Sequence, residues 1–359
     1  EAVISASAAG DARLESRALI EREFYKTFAG SEDATLTIPD VTARAIPILE
    51  EAGDDLGLAR AWRLRSELDI RAAHWGARAE KLERALDHAR RAGDLREEAI
   101  IVALLAQALY FGPTPVEQAI KRCERFLSDF PGDRPLRAAI GSTLAGLHAM
   151  RGDFDEARRL WAEAHKLYEL LGLGFRRAVR SLIPASIETL AGDYDAAERE
   201  LRWGYETLER MGAESPQATI GSFLAETVYE QGRDDEAERL TEISEQLAAA
   251  DDLVPQVLWR SVRAKVLARR GDLASAEELG REAVSHAAGT DFPDLKASTS
   301  LDLAEVLAAA GKTGEADQLA SRAKELYHQK GNVAAATQSG LRSPHPTRSG
   351  GRDDGTVTR

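Results

Sequence analysis

A single cysteine, Cys123, occurs in the 359 residues. One thiol builds neither a disulfide framework nor a multi-thiolate zinc site. Basic residues are short as well, 47 against 60 acidic ones, for a formal net charge of −13. A general nucleic-acid binder needs the opposite balance, because Lys and Arg neutralise phosphates. Aromatic residues make up only 6% of the chain. The longest uncharged apolar run, Ala99 to Gly112, is shorter than the roughly 20 residues needed to span a bilayer and reads as a buried core helix. The chain opens on Glu1, with no basic segment leading into an apolar stretch as in a secretory signal. These absences predict a cytoplasmic protein that engages neither nucleic acid nor membrane.

What the chain does have is a period. Glycines stand at Gly152, Gly192, Gly232, Gly271 and Gly311, spaced 40, 40, 39 and 40 residues apart. Five residues after each stands an alanine: Ala157, Ala197, Ala237, Ala276 and Ala316. Seven before each stands another: Ala145, Ala185, Ala225, Ala264 and Ala304. Twelve after each the residue is again small: Ala164, Gly204, Ser244, Ala283 and Ala323. The chain is alanine-rich, so one such column carries little weight; four in register define a repeat.

A pair of antiparallel helices per repeat explains these columns. The glycine ends the first helix, where a left-handed residue is cheap without a Cβ. Asp153, Asp193 and Asp272 follow it, as suits the start of the next helix. The small residues fall where two backbones approach, and apolar residues run between them at helical spacing, as in Leu301, Ala304 and Leu307. The expected fold is therefore all-α: an α-solenoid of about eight repeats of about 40 residues over 1–334. The pairs fall at about 11–53, 54–92, 94–131, 134–172, 174–212, 214–252, 254–289 and 291–331, with a partial repeat at 1–9. Residues 29–37 read as a polar loop. Pro184 falls inside a helix, where a proline loses a hydrogen bond and kinks or breaks the chain. The tail, 335–359, is rich in Ser, Thr, Gly, Pro and Arg and reads as disordered, because it has too little apolar surface to offset chain entropy.

The turn glycine with its flanking small residues resembles the tetratricopeptide (TPR) pattern, in a variety with long repeats. The segments FGPTPVEQAIKRCERFL (111–127), AMRGDFDEARRLW (149–161), LAGDYDAAERELRWGYETLERMG (190–212) and QVLWRSVRAKVLARRGDLASAEEL (256–279) are similar to the C-terminal TPR region of bacterial adenylate cyclase-related signalling ATPases. The segment 302–333 resembles that region's final repeat. The resemblance covers about 11–334, and 111–127 and 256–279 are its most specific parts. It implies a right-handed superhelix that follows ATPase and nucleotide-cyclase domains in a longer polypeptide. The start without Met in mid-repeat agrees with that expectation. The tail departs from the family, in which a further amphipathic helix would follow Gly331-Asn332-Val333.

No set of residues nominates itself for catalysis. Gly311-Lys312-Thr313 imitates a phosphate loop, but Val306 stands where the motif needs a glycine, and no strand precedes it. Seven histidines are scattered without metal-ligand spacing. Cys123 has basic neighbours, Lys121, Arg122 and Arg125, which lower a thiol pKa, but it has no recognisable His partner. Acid pairs such as Asp235-Glu236 and Glu277-Glu278 alternate with arginine and read as solvated, ion-paired faces. The five tryptophans read as packing residues. No metal and no cofactor is expected.

Binding is expected instead, on the concave wall that stacking generates from the first helices. Positions ten, six and three or two before each turn glycine nominate Ser142, Ser186, Ser222, Glu226, Tyr229, Ser261, Lys265, Arg269 and Glu305. With only Lys265 and Arg269 basic, this set lacks a clamp for a peptide carboxylate. The function read from the sequence is a non-catalytic scaffold for a protein or peptide partner, the TPR arm of a bacterial signal-transduction ATPase or cyclase. The alternatives are an arm of a transcriptional activator of the maltose-regulator type, which would require a neighbouring DNA reader, and a solenoid that senses a small ligand inside its superhelix.

Overall fold

The computed structural model describes residues 2–28 and 34–339, and every regular element among them is a helix. A short helix, Ala2–Ala8, leads into Ala12–Phe28 and Ala34–Glu51. Seven further helix pairs follow: Asp55–Arg71 (interrupted) with Trp75–Ala92, Leu95–Phe111 with Val116–Asp129, Arg134–Arg151 with Phe154–Leu170, Gly174–Ala191 (interrupted) with Tyr194–Arg210, Glu214–Glu230 with Asp234–Leu247, Leu253–Arg269 with Leu273–Ala288, and Pro293–Ala309 with Thr313–Lys330. Of the loop expected at 29–37, residues 34–37 are helical, and the rest lies outside the described residues.

The periodic columns are where the helices touch. All five alanines seven before the turn glycine are buried, as are all five that come five after it. The third column is tighter still: a Cβ at Gly204 would stand 2.1 Å from Ser181 Oγ and 3.0 Å from the Ala178 carbonyl. Each turn glycine from Gly152 to Gly311 has a φ between +75° and +96°, the left-handed region that L-residues avoid. At Gly192 and Gly271 the following aspartate caps the next helix, with Asp193 Oδ1 accepting from Ala196 N (2.9 Å) and Asp272 Oδ1 from Ser275 N (3.2 Å). Scarce aromatics do not weaken such a core, since small side chains let whole helix backbones approach.

Two first helices are broken. The helix expected through Pro184 splits into Gly174–Val179 and Leu182–Ala191, with Arg180 and Ser181 between them. The proline has no N–H to bond the Arg180 carbonyl, and Ile183 N bonds it instead (2.9 Å). The other break separates Asp55–Ser66 from Leu68–Arg71 and ends at Ala73, which holds φ +50° where other repeats place glycine.

The array closes on itself. Asp291 lies 216 residues beyond Trp75, yet its carboxylate accepts from the Trp75 amide (2.6 Å) and the Gly76 amide (2.8 Å). Those are orphan donors at the N-terminus of Trp75–Ala92, where His74 supplies no side-chain cap. Gly76 makes room, because a Cβ there would stand 3.0 Å from Asp291 Oδ2. The opposite charge closes a second contact. Lys330, fully buried, donates from Nζ to the carbonyls of Leu109 (2.9 Å), Gly112 (2.7 Å) and Thr114 (2.9 Å), at the C-terminal end of Leu95–Phe111 where a cation is favoured. Burial lowers its pKa to about 8 against the pull of Asp294. An apolar seam lies between: the Phe111 ring packs 4.7 Å from Trp75 and 5.3 Å from Phe292, in a cluster with Val257, Leu258 and Leu295. Residues 335–338, read from the sequence as the start of a loose tail, continue a helix, Val333–Gln338, capped by Asn332. It packs against Arg134–Arg151 and Leu182–Ala191, and Gln338 Nε2 donates to the Leu190 carbonyl (2.6 Å). The remainder of the expected tail, 340–359, lies outside the described residues.

Loss of the Asp291 cap therefore weakens the closed form. Asp291→Ala is expected to lower unfolding stability by about 1–2 kcal/mol, as for a lost N-cap. Asp291→Asn, which keeps one acceptor oxygen, loses less. Urea unfolding measures both, and an Ala variant as stable as the parent would contradict the closure.

Candidate functional site

Closure turns the concave wall into the lining of a lumen of about 760 Å³, within the range of small-molecule sites. The lining repeats. Arg96, Ala99 and Ala103, then Leu136, Ala139 and Thr143, then Arg176, Val179 and Ile183, then Pro216, Thr219 and Phe223 all face it. These stand sixteen, thirteen and nine residues before Gly112, Gly152, Gly192 and Gly232. The wall thus takes the face of each first helix that carries these positions, and Leu104, Gln107 and Tyr110 extend it toward the C-terminal end of Leu95–Phe111. Trp75, Phe111 and Phe292 of the seam complete it.

None of the nine residues nominated from the sequence is among the lining residues. They occupy other positions of the first helices, and several of them tie one repeat to the next. Ser142, Ser222, Tyr229, Ser261 and Lys265 are buried. Ser142 Oγ donates to the Ala139 carbonyl (2.8 Å), Ser222 Oγ to the Ala218 carbonyl (3.0 Å) and Ser261 Oγ to Asp302 Oδ2 (2.8 Å). Lys265 Nζ bonds Glu226 (2.6 Å) and pairs with Asp302 (2.9 Å) and Glu230 (3.7 Å). Burial alone would lower its pKa, but Asp302, Glu226, Glu230 and Glu305 hold it well above the ordinary lysine value. Arg269 stacks 3.5 Å over the Tyr229 ring and pairs with Asp234 (2.7 Å).

Two tyrosines in this layer reach across two repeats. The Tyr110 hydroxyl meets Ser186 Oγ (3.1 Å), and the Tyr229 hydroxyl donates to Glu305 Oε1 (2.5 Å). Tyr110 passes over Gly146, where a Cβ would stand 2.5 Å from the ring. The column that reads Gly146, Ser186, Glu226, Lys265, Glu305 is therefore shaped by interhelical contact.

The thiol of Cys123 is buried, which pushes its pKa up to about 12; it is not poised as a nucleophile. Among the described residues no group of three His, Cys, Asp or Glu side chains is placed to hold a metal ion, and no helix is long and apolar enough to cross a membrane. Trp75, Trp161 and Trp259 are buried packing residues, whereas Trp203 is partly exposed and stacks on the Arg177 guanidinium at 3.4 Å.

The polar members of the lining are few. Sequence reasoning missed Arg180 and Asp252, because one needs the helix break and the other the neighbouring repeat. The break at Arg180-Ser181 sets Arg180 against the wall, where Nη1 donates to Ser142 Oγ (3.0 Å) and the Ala139 carbonyl (3.4 Å). Asp252, on the far side of the 214–252 repeat, accepts from Ser215 Oγ (3.0 Å). Burial among apolar groups pushes its pKa up to about 6.

No protein-family model matches the sequence, and no curated protein matches it. Solved structures do match in fold. A Rap protein in complex with competence and sporulation factor is 15% identical with a TM-score of 0.70, covering 88% of this chain and 87% of that one. A chain of the APC/C hetero-tetramer Cut9–Hcn1 is 14% identical with a TM-score of 0.58, over 87% of this chain. This chain spans 57% of that chain's length. The apo form of the quorum sensor NprR from B. thuringiensis is 12% identical with a TM-score of 0.50, over 82% of this chain and 81% of that one. These likenesses establish a TPR-type helical-repeat fold.

The raised Asp252 pKa has a sign that solution measurements read directly. Between roughly pH 4, the ordinary aspartate range, and about pH 6, the folded protein holds a proton that the unfolded chain releases. The group therefore adds stability as pH falls through 6 and withdraws it as pH rises. Asp252→Asn, neutral at every pH, is expected to be more stable than the parent at pH 7 by about 1–3 kcal/mol. The advantage should vanish near pH 4. Equal stability of the two at pH 7 would contradict this burial.

Proposed function

We propose that this chain is a non-catalytic interaction and regulatory module that holds a protein or peptide partner. The observation that carries the reading is the architecture: a stack of helix pairs, joined by polar contacts between repeats, with the fold of TPR-type solved structures. Such stacks present extended binding surfaces, and each repeat leans on its neighbours. A partner spanning several repeats would stiffen the array. The solved neighbours support the reading. The Rap structure holds competence and sporulation factor, and the Cut9–Hcn1 chain sits in a hetero-tetramer.

The finer reading makes this the TPR arm of a bacterial signal-transduction ATPase or nucleotide cyclase, passing the state of its partner to that core. It rests on the segments 111–127 and 256–279. On this proposal the isolated chain neither binds ATP nor forms cyclic AMP. Isothermal titration with Mg-ATP and a turnover assay on pure protein are expected to give no signal. Nucleotide turnover that follows the protein through purification would contradict the non-catalytic reading.

A further inference from the structure

The lumen has a chemistry of its own. Its lining is dominated by apolar side chains, among them Ile100, Leu104, Phe111, Leu136, Ile183 and Phe223. A peptide laid into it would bring an N–H and a C=O per residue, each needing a partner once buried. The wall offers few. Among the described residues it contains no asparagine and a single glutamine, Gln107. Its hydroxyls are already engaged with the protein itself: Tyr110 with Ser186, Tyr168 with Ser142, Thr143 with the Ala139 carbonyl, Thr219 with the Ser215 carbonyl and Ser215 with Asp252.

The charged groups are sorted in the same way. Asp133 Oδ1 accepts from the Leu136 amide as a helix cap, and Asp252 accepts from Ser215. Arg180 differs from three other arginines packed within this array. Arg63, Arg177 and Arg263 pair with Glu97, Glu200 and Glu245. Arg180 is half-buried, is anchored through Nη1 to a hydroxyl and a carbonyl, and has no carboxylate partner among the described residues. Two more arginines of the lining, Arg96 and Arg176, stand at its exposed edge, where they favour the approach of an anion. A half-buried guanidinium held by one nitrogen keeps its other donors for a planar anion, and carboxylate matches that fork.

The geometry points to the lumen as a binding site for a small apolar carboxylate, an alkyl-chain acid whose body lies among Leu104, Phe111 and Phe223 and whose carboxylate meets Arg180. This goes beyond the partner-holding reading and stands without it. A small ligand that contacts four successive repeats and both sides of the seam would favour the closed ring by linkage.

The test uses the full chain and decanoate, with decan-1-ol and trileucine as comparison ligands, each titrated calorimetrically below its aggregation limit. Decanoate is expected to bind with one-to-one saturation, and decan-1-ol at least about tenfold more weakly, the scale of a charge-assisted hydrogen bond. Arg180→Met should abolish that preference and Arg180→Lys should reduce it, with near-UV circular dichroism verifying that each variant is folded. Ala103→Trp, which fills the lumen, should abolish both affinities. Equal binding of acid and alcohol to the parent, tighter binding of trileucine, unchanged affinity in Ala103→Trp, or no saturable binding of decanoate would each overturn the proposal. Only the trileucine result bears on a peptide partner, and none of them bears on whether the chain holds a folded protein.

Discussion

The carboxylate of Asp291 on the N-terminal amides of Trp75–Ala92 is the contact on which the shape of the molecule turns. A stack of helix pairs is intrinsically open-ended, because each pair contacts only its neighbours. Here one turn brings the eighth pair back against the second. The two surfaces meet with matched electrostatics: an anion on a positive helix end, and Lys330 on a negative one. Each supplies what a helix terminus lacks, so the seam satisfies backbone groups as well as burying Trp75, Phe111 and Phe292. Without closure the lining residues would face an open groove.

Closure also explains the division of labour along each first helix. One set of positions turns mostly apolar side chains into the lumen, and another binds the repeats together through Tyr229, Lys265, Asp302 and their partners. The buried Lys265 cluster sits at the junction of three successive first helices. Removing a charge from such a cluster strands the others, which makes it a determinant of register between repeats. Pro184 belongs to the same economy of function: the break that tolerates it is the one that presents Arg180 to the lumen.

The period made much of this legible in advance. Glycine and alanine columns carry the geometry of close-packed helices, so Gly192, Ala197 and Gly204 announce their pairing from spacing alone. The break at Pro184 was readable because a missing N–H acts locally. The matching break before Ala73 was not, since an alanine at positive φ carries no compositional mark. The periodicity nominates positions ten, six and three or two before each turn glycine, whereas the repeated lining stands at sixteen, thirteen and nine. That offset depends on how the helices lean, which periodicity does not encode. Likewise nothing near Asp291 or Lys330 in sequence reveals a partner more than two hundred residues away. Composition gave the short helix Val333–Gln338 no signal, because its order comes from docking onto Leu182–Ala191.

The closed ring is most directly tested at two amides. Trp75 and Gly76 occupy the first turn of their helix, where N–H groups have no intrahelical acceptor and exchange freely with solvent. In the closed ring Asp291 accepts from both. Native-state hydrogen exchange, resolved at these residues by NMR, is expected to show both amides protected, with protection lost together in Asp291→Ala. Exchange of Trp75 and Gly76 in the parent at the rate of an uncapped helix terminus would contradict closure, and with it the lumen that closure forms.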